Sequence, residues 1–163
     1  LLMQPEDEFM KEALSAMKIE LEERTIVWND RIGKLLVPMI RERISVLEDL
    51  RMHLRDGEYD HFFQAPALEA LRIPEKKSSV ADAKRHLSFV REKCASLPDS
   101  EFTAEGIKNA IWEYAGAEGR GAVLWPMRYS LSGREKSPDP FVIASVIGKE
   151  ETLVRLTAGQ DLL

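Results

Sequence analysis

The residues of this 163-residue chain that could do chemistry are three histidines, one cysteine, several runs of adjacent carboxylates, and a C-terminal stretch rich in arginine, serine and proline. His53, His61 and His86 lack the HxxxH type of spacing that sets two imidazoles on one metal ion, and no CxxC or mixed Cys/His cluster completes a ligand set. A metal site is therefore not expected. Cys94 keeps register with Leu87, Val90 and Leu97, which reads as a buried structural thiol rather than a nucleophile. In Glu6-Asp7-Glu8, Glu22-Glu23 and Glu150-Glu151, neighbouring acids on a helix point in different directions, so solvated faces suit them better than acid–base catalysis. No GxxxxGK[ST], strand-borne GxGxxG or GxSxG elbow is present to cradle a phosphate or present an activated serine. No catalytic residue is expected. What is left is the profile of a binding module: Arg, Ser and Pro presented on a C-terminal loop.

The elements that must position that loop are helices. Pro5 with Glu6, Asp7 and Glu8 marks a helix start, and Met10, Leu14, Met17 and Leu21 give it an apolar face. Ile32, Leu35, Leu36, Met39 and Ile40 predict a second helix, which Pro38 should kink or begin. Ile44, Leu47 and Leu54 predict a third, ended by Asp56-Gly57, and Tyr59, Phe62 and Phe63 form an aromatic plug before a loop with Pro66 and Pro74. A long apolar face from Val80 to Leu97 closes at Pro98-Asp99. Phe102, Thr103 and Ile107 have the spacing of a hydrophobic staple around a Thr N-cap, predicting a helix over about Ala104 to Tyr114 and a glycine-rich loop over Ala115 to Gly121. Three short helices then follow, Pro126 to Leu131, Pro140 to Ile147 and Glu150 to Leu156, the first two capped by Gly133 and Gly148. No strand alternation appears, so the fold class is all-α, with a division expected between residues 1–97 and 98–163.

Composition agrees: 44% hydrophobic and 31% charged residues describe a helix-rich globular chain, and no run approaches the roughly 18 apolar residues of a membrane span. A lone cysteine favours a reducing, cytoplasmic compartment. The sequence opens at Leu1 rather than at an initiator Met, which suggests a piece of a longer polypeptide. The net charge of −5 disfavours binding through a broad basic face, but its sign is unevenly spread. Residues 1–24 hold seven acids against three bases, whereas residues 119–155 hold six bases against four acids. Reading a few bases from a shaped pocket stays open, and so does a helical protein-interaction or scaffold module without RNA binding.

Two segments carry a resemblance. LWPMRYSLSGREKSPDPFVIASVIGKEETLVRL, residues 124–156, resembles the end of the anticodon-binding region of bacterial glutamyl-tRNA synthetases, with its pattern P-L-R-x-x-L-T-G, a spacer, S/T-P, a hydrophobic helix, L-G-K-E and R-L. The matching elements are Pro126-Met127-Arg128, Leu131-Ser132-Gly133, Ser137-Pro138, Ile147-Gly148-Lys149-Glu150 and Arg155-Leu156, with Met127 and Ser132 as conservative departures. Upstream, LLVPMIRERISVLEDL, residues 35–50, resembles the family's segment of a proline, an arginine-rich turn and an apolar helix.

The resemblance implies a two-subdomain helical cage that takes the anticodon of tRNA(Glu). Arg43 and Arg128 then match arginines that contact anticodon bases, and Ser137, Pro138 and Pro140 fall on the loop that lies against the splayed bases. Position 140 is an apolar, often leucine, position in the family that the segment resembles, and here it is proline. The chemistry suits the task, because unstacked bases expose acceptor edges and flat faces that planar guanidinium groups and rigid apolar surfaces can read. HIGH-like and KMSKS-like signatures do not occur, so the resemblance assigns ATP, Mg²⁺ and L-glutamate to a catalytic domain of a full-length parent enzyme. Lys149, Glu150 and Arg155 are expected to serve helix ends and packing.

Overall fold

The computed structural model describes residues 5–163 and divides the chain into two compact units, Leu1–Gln64 and Ala65–Leu163; the expectation attached to Leu1 lies outside the described residues. Nine α-helices and two 3-10 turns make up the regular structure of the described residues, so the fold is all-α as the periodicity indicates.

In the first unit α1 (Glu6–Glu23) packs against α2 (Asp30–Arg43) and α3 (Leu47–Arg55), and the short α4 (Asp60–Phe63) closes the chain segment. The buried stripe of α1 is Phe9, Ala13, Ala16, Met17, Glu20 and Leu21, turned about one residue from the expected Met10/Leu14 line. Phe9 supplies the largest apolar surface of the first turn, and Ala13 and Ala16 let the neighbouring helices approach, so Met10 and Leu14 end on the flank. Asn29 starts α2 by accepting a hydrogen bond from the Ile32 amide at 3.1 Å. Pro38 neither begins that helix nor ends it. It lies on the exposed side, where the lost amide donor leaves a carbonyl that water can serve. The aromatic plug is as expected: Tyr59 and Phe62 are buried, and Phe63 stacks on Trp28 with centroids 5.4 Å apart.

The second unit contains α5 (Val80–Ser96), α6 (Ala104–Glu118), α7 (Arg120–Ser132), α8 (Pro140–Ile147) and α9 (Lys149–Asp161). The helix α5 packs against α7 and α9, so the break between units falls at Gln64–Ala65 and not at the Leu97–Pro98 junction. Thr103 caps α6 as its spacing predicts, accepting from the Gly106 amide at 3.0 Å. The expected loop over Ala115 to Gly121 is instead almost entirely helical. A single residue, Gly119 at φ +105°, separates α6 from α7, since only glycine takes that conformation without strain. Consequently α7 starts six residues before Pro126, which sits buried inside the helix.

Helix α7 is the hub of this unit, touched by α5, α6, α8 and α9, and Val123, Pro126, Met127, Tyr129, Ser130, Leu131 and Ser132 are buried around it. A helix enclosed on so many sides carries apolar or hydrogen-bonded residues all round. Gly159 of α9 lacks the Cβ that would collide with the Ser130 side chain, which lets the two helices close up.

Candidate nucleic-acid interface

The second unit holds a cleft of about 810 Å³ between α6, α7 and the N-terminus of α8. Its floor is apolar and aromatic, with Trp112, Leu124, Trp125 and Phe141, and its cations are Lys108, Arg120 and Arg128. Helical spacing explains two of the pairings: Lys108 and Trp112 are four apart on α6, and Trp125 and Arg128 are three apart on α7, so each pair shares a face. Lys108 Nζ lies 4.7 Å from the Trp112 ring centroid and Arg128 Cζ lies 5.7 Å from that of Trp125. Folding brings in the third, with Arg120 Cζ 4.5 Å from the Trp112 centroid. Among the described residues none of these three cations forms an ion pair.

Trp125 is fixed by its indole N–H, which donates to the Arg72 carbonyl at 3.0 Å, and by stacking on Tyr129. The Tyr129 hydroxyl in turn accepts from the Glu69 amide at 3.0 Å. Arg128 donates from Nη2 to the Glu135 carbonyl, while its buried Nε has no partner among the described residues. The turn that follows is tied by Ser132, whose hydroxyl donates to the Arg128 carbonyl at 2.8 Å and accepts from the Arg134 amide at 3.1 Å. Gly133 caps α7 in the left-handed conformation, with φ +64°.

Ser137 and Pro138 are part-exposed on the loop before α8, and the Ser137 hydroxyl donates to the Pro138 carbonyl at 2.9 Å. Asp139 caps α8, accepting from the Val142 amide at 2.9 Å, and Pro140 occupies the first turn with its ring buried. Pro140, which the resemblance places on the loop that lies against the bases, lines the cleft with its ring packed at the first turn of α8. Arg155 is buried, donating to the Leu131 carbonyl at 2.7 Å and to Glu151 at 3.0 Å, and burial holds its basicity below the ordinary value. Lys149 Nζ donates to the Leu97 carbonyl at 2.8 Å. Both residues serve packing and helix ends, as expected.

Arg43 belongs to the first unit. It ends α2 half-exposed, with Nη2 3.2 Å from Glu58 Oε2, Nη1 donating to the Tyr59 hydroxyl at 3.3 Å, and its Cζ 6.0 Å from the Tyr59 ring. Burial pushes the Tyr59 phenol up, so it stays a neutral partner. The residues that sequence reasoning missed are Lys108, Trp112, Arg120 and Trp125. The i, i+4 and i, i+3 pairings were visible in the sequence; the Trp112–Arg120 contact crosses the Gly119 break and was not.

Among the described residues, this all-helical scaffold brings guanidinium groups without carboxylate partners beside aromatic rings in one cleft. The comparisons with known proteins are specific on the kind: residues 3–160 match the anticodon binding domain, and the chain belongs to that family. It is 32% identical over 124 residues to glutamate–tRNA ligase 1 of Methylobacterium radiotolerans, and 33% identical over 129 residues to glutamate–tRNA ligase of Desulforudis audaxviator. Each alignment covers 74% of this chain and 24% of the relative, so the chain spans about a quarter of the length of these curated relatives. The crystal structure of a glutamate–tRNA ligase from Elizabethkingia meningosepticum superposes with a TM-score of 0.72 at 29% identity, over 94% of this chain and 29% of that one. The resemblance read from residues 35–50 and 124–156 is thus borne out.

Proposed function

We propose that this chain reads the anticodon of tRNA(Glu) for a glutamate–tRNA ligase whose catalytic domain lies elsewhere in the same cytoplasmic polypeptide. The observation that carries the reading is Arg128: it stands on the family motif Pro126-Met127-Arg128, at a cleft wall, with no carboxylate partner among the described residues. Its guanidinium can donate two parallel hydrogen bonds to the acceptor edge of an unstacked base, an arrangement worth about 1–3 kcal/mol of discrimination in groove readout.

Ser137 and Pro138 supply a stiff wall beside that base. Pro138 and Pro140 limit the loop's freedom before binding, which lowers the cost of ordering it against RNA. Arg43 reads a second base after exchanging Glu58 for the base edge. ATP and Mg²⁺ with L-glutamate belong to the catalytic domain. Here the cleft offers only the carboxylates of Glu105 and Asp139, and Asp139 is committed to capping α8, so the donor set does not fit Mg²⁺. No helix among the described residues is long and apolar enough to cross a membrane.

The test is equilibrium binding of the chain to a tRNA(Glu) transcript and to the same transcript with a changed anticodon. Preference for the unaltered anticodon supports the reading. Equal binding to both, or no binding at low salt, rejects it, and the second result favours a scaffold role.

A further inference from the structure

A guanidinium that reads a base edge must bring its plane to one setting, whereas a free arginine side chain samples many rotamers and gives them up on binding. Arg128 is held before any ligand arrives. Its Cζ lies 5.7 Å from the Trp125 ring centroid, and Nη2 donates to the Glu135 carbonyl. Nε is buried without a partner among the described residues, so the Nε edge is closed to a base. The donors left for reading are those of Nη1 and the second N–H of Nη2.

Trp125 is itself set by a turn 53 positions away in the chain. The indole N–H donates to the Arg72 carbonyl at 3.0 Å, and the ring stacks on Tyr129 with centroids 6.1 Å and planes 8° apart. The Arg72 guanidinium lies over Tyr129 at 5.2 Å, and the Tyr129 hydroxyl accepts from the Glu69 amide at 3.0 Å. The short 3-10 turn Ala70–Arg72 and its cap Glu69 therefore engage both rings. Ile73 is buried behind the turn and Leu71 is 94% exposed, so Ile73 and the contacts to the rings fix its orientation, with no help from Leu71.

Resting on the reading of an anticodon base by Arg128, we propose that Trp125 is a positioning residue for that arginine. Clamped from residues 69–72, it presents a fixed face against which the guanidinium lies, and the Glu135 carbonyl sets the rotation about that face. Trp125 contributes to anticodon preference only through Arg128 and makes no base contact of its own. A merely structural tryptophan would change the melting temperature and weaken both RNAs alike. One that stacked on a base would keep its effect after Arg128 was removed.

The experiment is a cycle of four chains, the parent, Trp125→Leu, Arg128→Ala and the double variant, each titrated with the tRNA(Glu) transcript and with an anticodon-changed transcript. Thermal melts report folding. The expected result is a fall of about two- to fivefold in the ratio of the two affinities for Trp125→Leu, the range of a cation–π contact at an exposed site, and no further fall when Trp125→Leu is added to Arg128→Ala. The Arg128 Nε–H order parameter in the RNA-free chain is a second readout that needs no variant: it should exceed about 0.6 in the parent. A parent value below that limit overturns the positioning role, as does a folded Trp125→Leu chain with the parent's ratio. A Trp125→Leu effect of equal size with and without Arg128 also overturns it. A parent without preference between the RNAs, or an Arg128→Ala chain that keeps the parent's preference, defeats the underlying reading instead.

Discussion

Five cations of the first unit are answered by carboxylates, whereas those of the second unit's cleft are answered by aromatic rings. Arg24 pairs with Asp60, Lys34 with Asp30, Arg43 with Glu58, Arg51 with Glu48, and Arg55 with both Glu20 and Glu48. In the cleft, Lys108, Arg120 and Arg128 lie over Trp112 and Trp125. A carboxylate partner must be displaced before a guanidinium can serve RNA, and its negative charge then repels phosphate. An indole leaves the positive charge uncompensated and adds a surface on which a base can stack. The second unit is therefore the better prepared for nucleic acid, although the chain as a whole is acidic.

The harshest way to break that contrast is to remove the packing under the cleft. Met127 is fully buried on the hub helix, beside Arg128, and Met127→Ala should cost about 2–5 kcal/mol of stability, read as a fall in melting temperature. Arg128→Ala, one position on, should leave the melting temperature nearly unchanged and cut the cognate-to-altered anticodon ratio by about 1–3 kcal/mol, measured by RNA titration. Arg43→Ala should do less, because the parent must give up Glu58 to bind.

Sharpening the contrast, Glu58→Gln should tighten RNA binding up to about fivefold, the upper end for a partly exposed ion pair. Tighter binding in Glu58→Gln that survives in an Arg43→Ala background would instead point to general charge repulsion.

The smallest expected effect is that of His86. It is buried, with Nδ1 2.8 Å from the Tyr114 hydroxyl, and burial first, then the Arg85 charge, lower its basicity. A depressed folded value means the unfolded chain takes up the proton first. The neutral ring's contribution is therefore full above the ordinary histidine value near 6.5 and lost as pH falls through the lower folded value. Denaturant melts at pH 7.5 and pH 5 should show this loss. Asp82 and Glu118, both held below the ordinary carboxylate range chiefly by hydrogen bonds from Arg85, lose stability in the same direction at still lower pH. His86→Gln should flatten the slope between pH 7.5 and 5 if the ring is its source.

Local chemistry decided which features were legible in the sequence. Thr103 as an N-cap, Gly133 and Gly148 past helix ends, Cys94 on an apolar face and the Tyr59/Phe62 plug all follow from spacing over a few residues, and all are present. Burial pushes the Cys94 thiol up to about 12, which fits an inert structural group. Tertiary packing overrode local signals elsewhere. Pro126 reads as a helix start because proline suits a first turn, yet the hub position of α7 extends the helix upstream through Val123 and Leu124. Ala115 and Gly116 read as loop by composition and are held helical by the rest of α6. Arg128 was legible through its motif, while the Trp112–Arg120 pairing depends on a reversal at Gly119 that no short-range pattern encodes.

The measurement that tests the central claim most directly is a double-mutant cycle between protein and RNA: parent and Arg128→Ala chains, each titrated with the tRNA(Glu) transcript and with an anticodon-changed transcript. Anticodon reading by Arg128 predicts a coupling of about 1–3 kcal/mol, so that the base change matters to the parent and hardly at all to Arg128→Ala. Additive effects, with the parent and the variant equally sensitive to the anticodon, would contradict it.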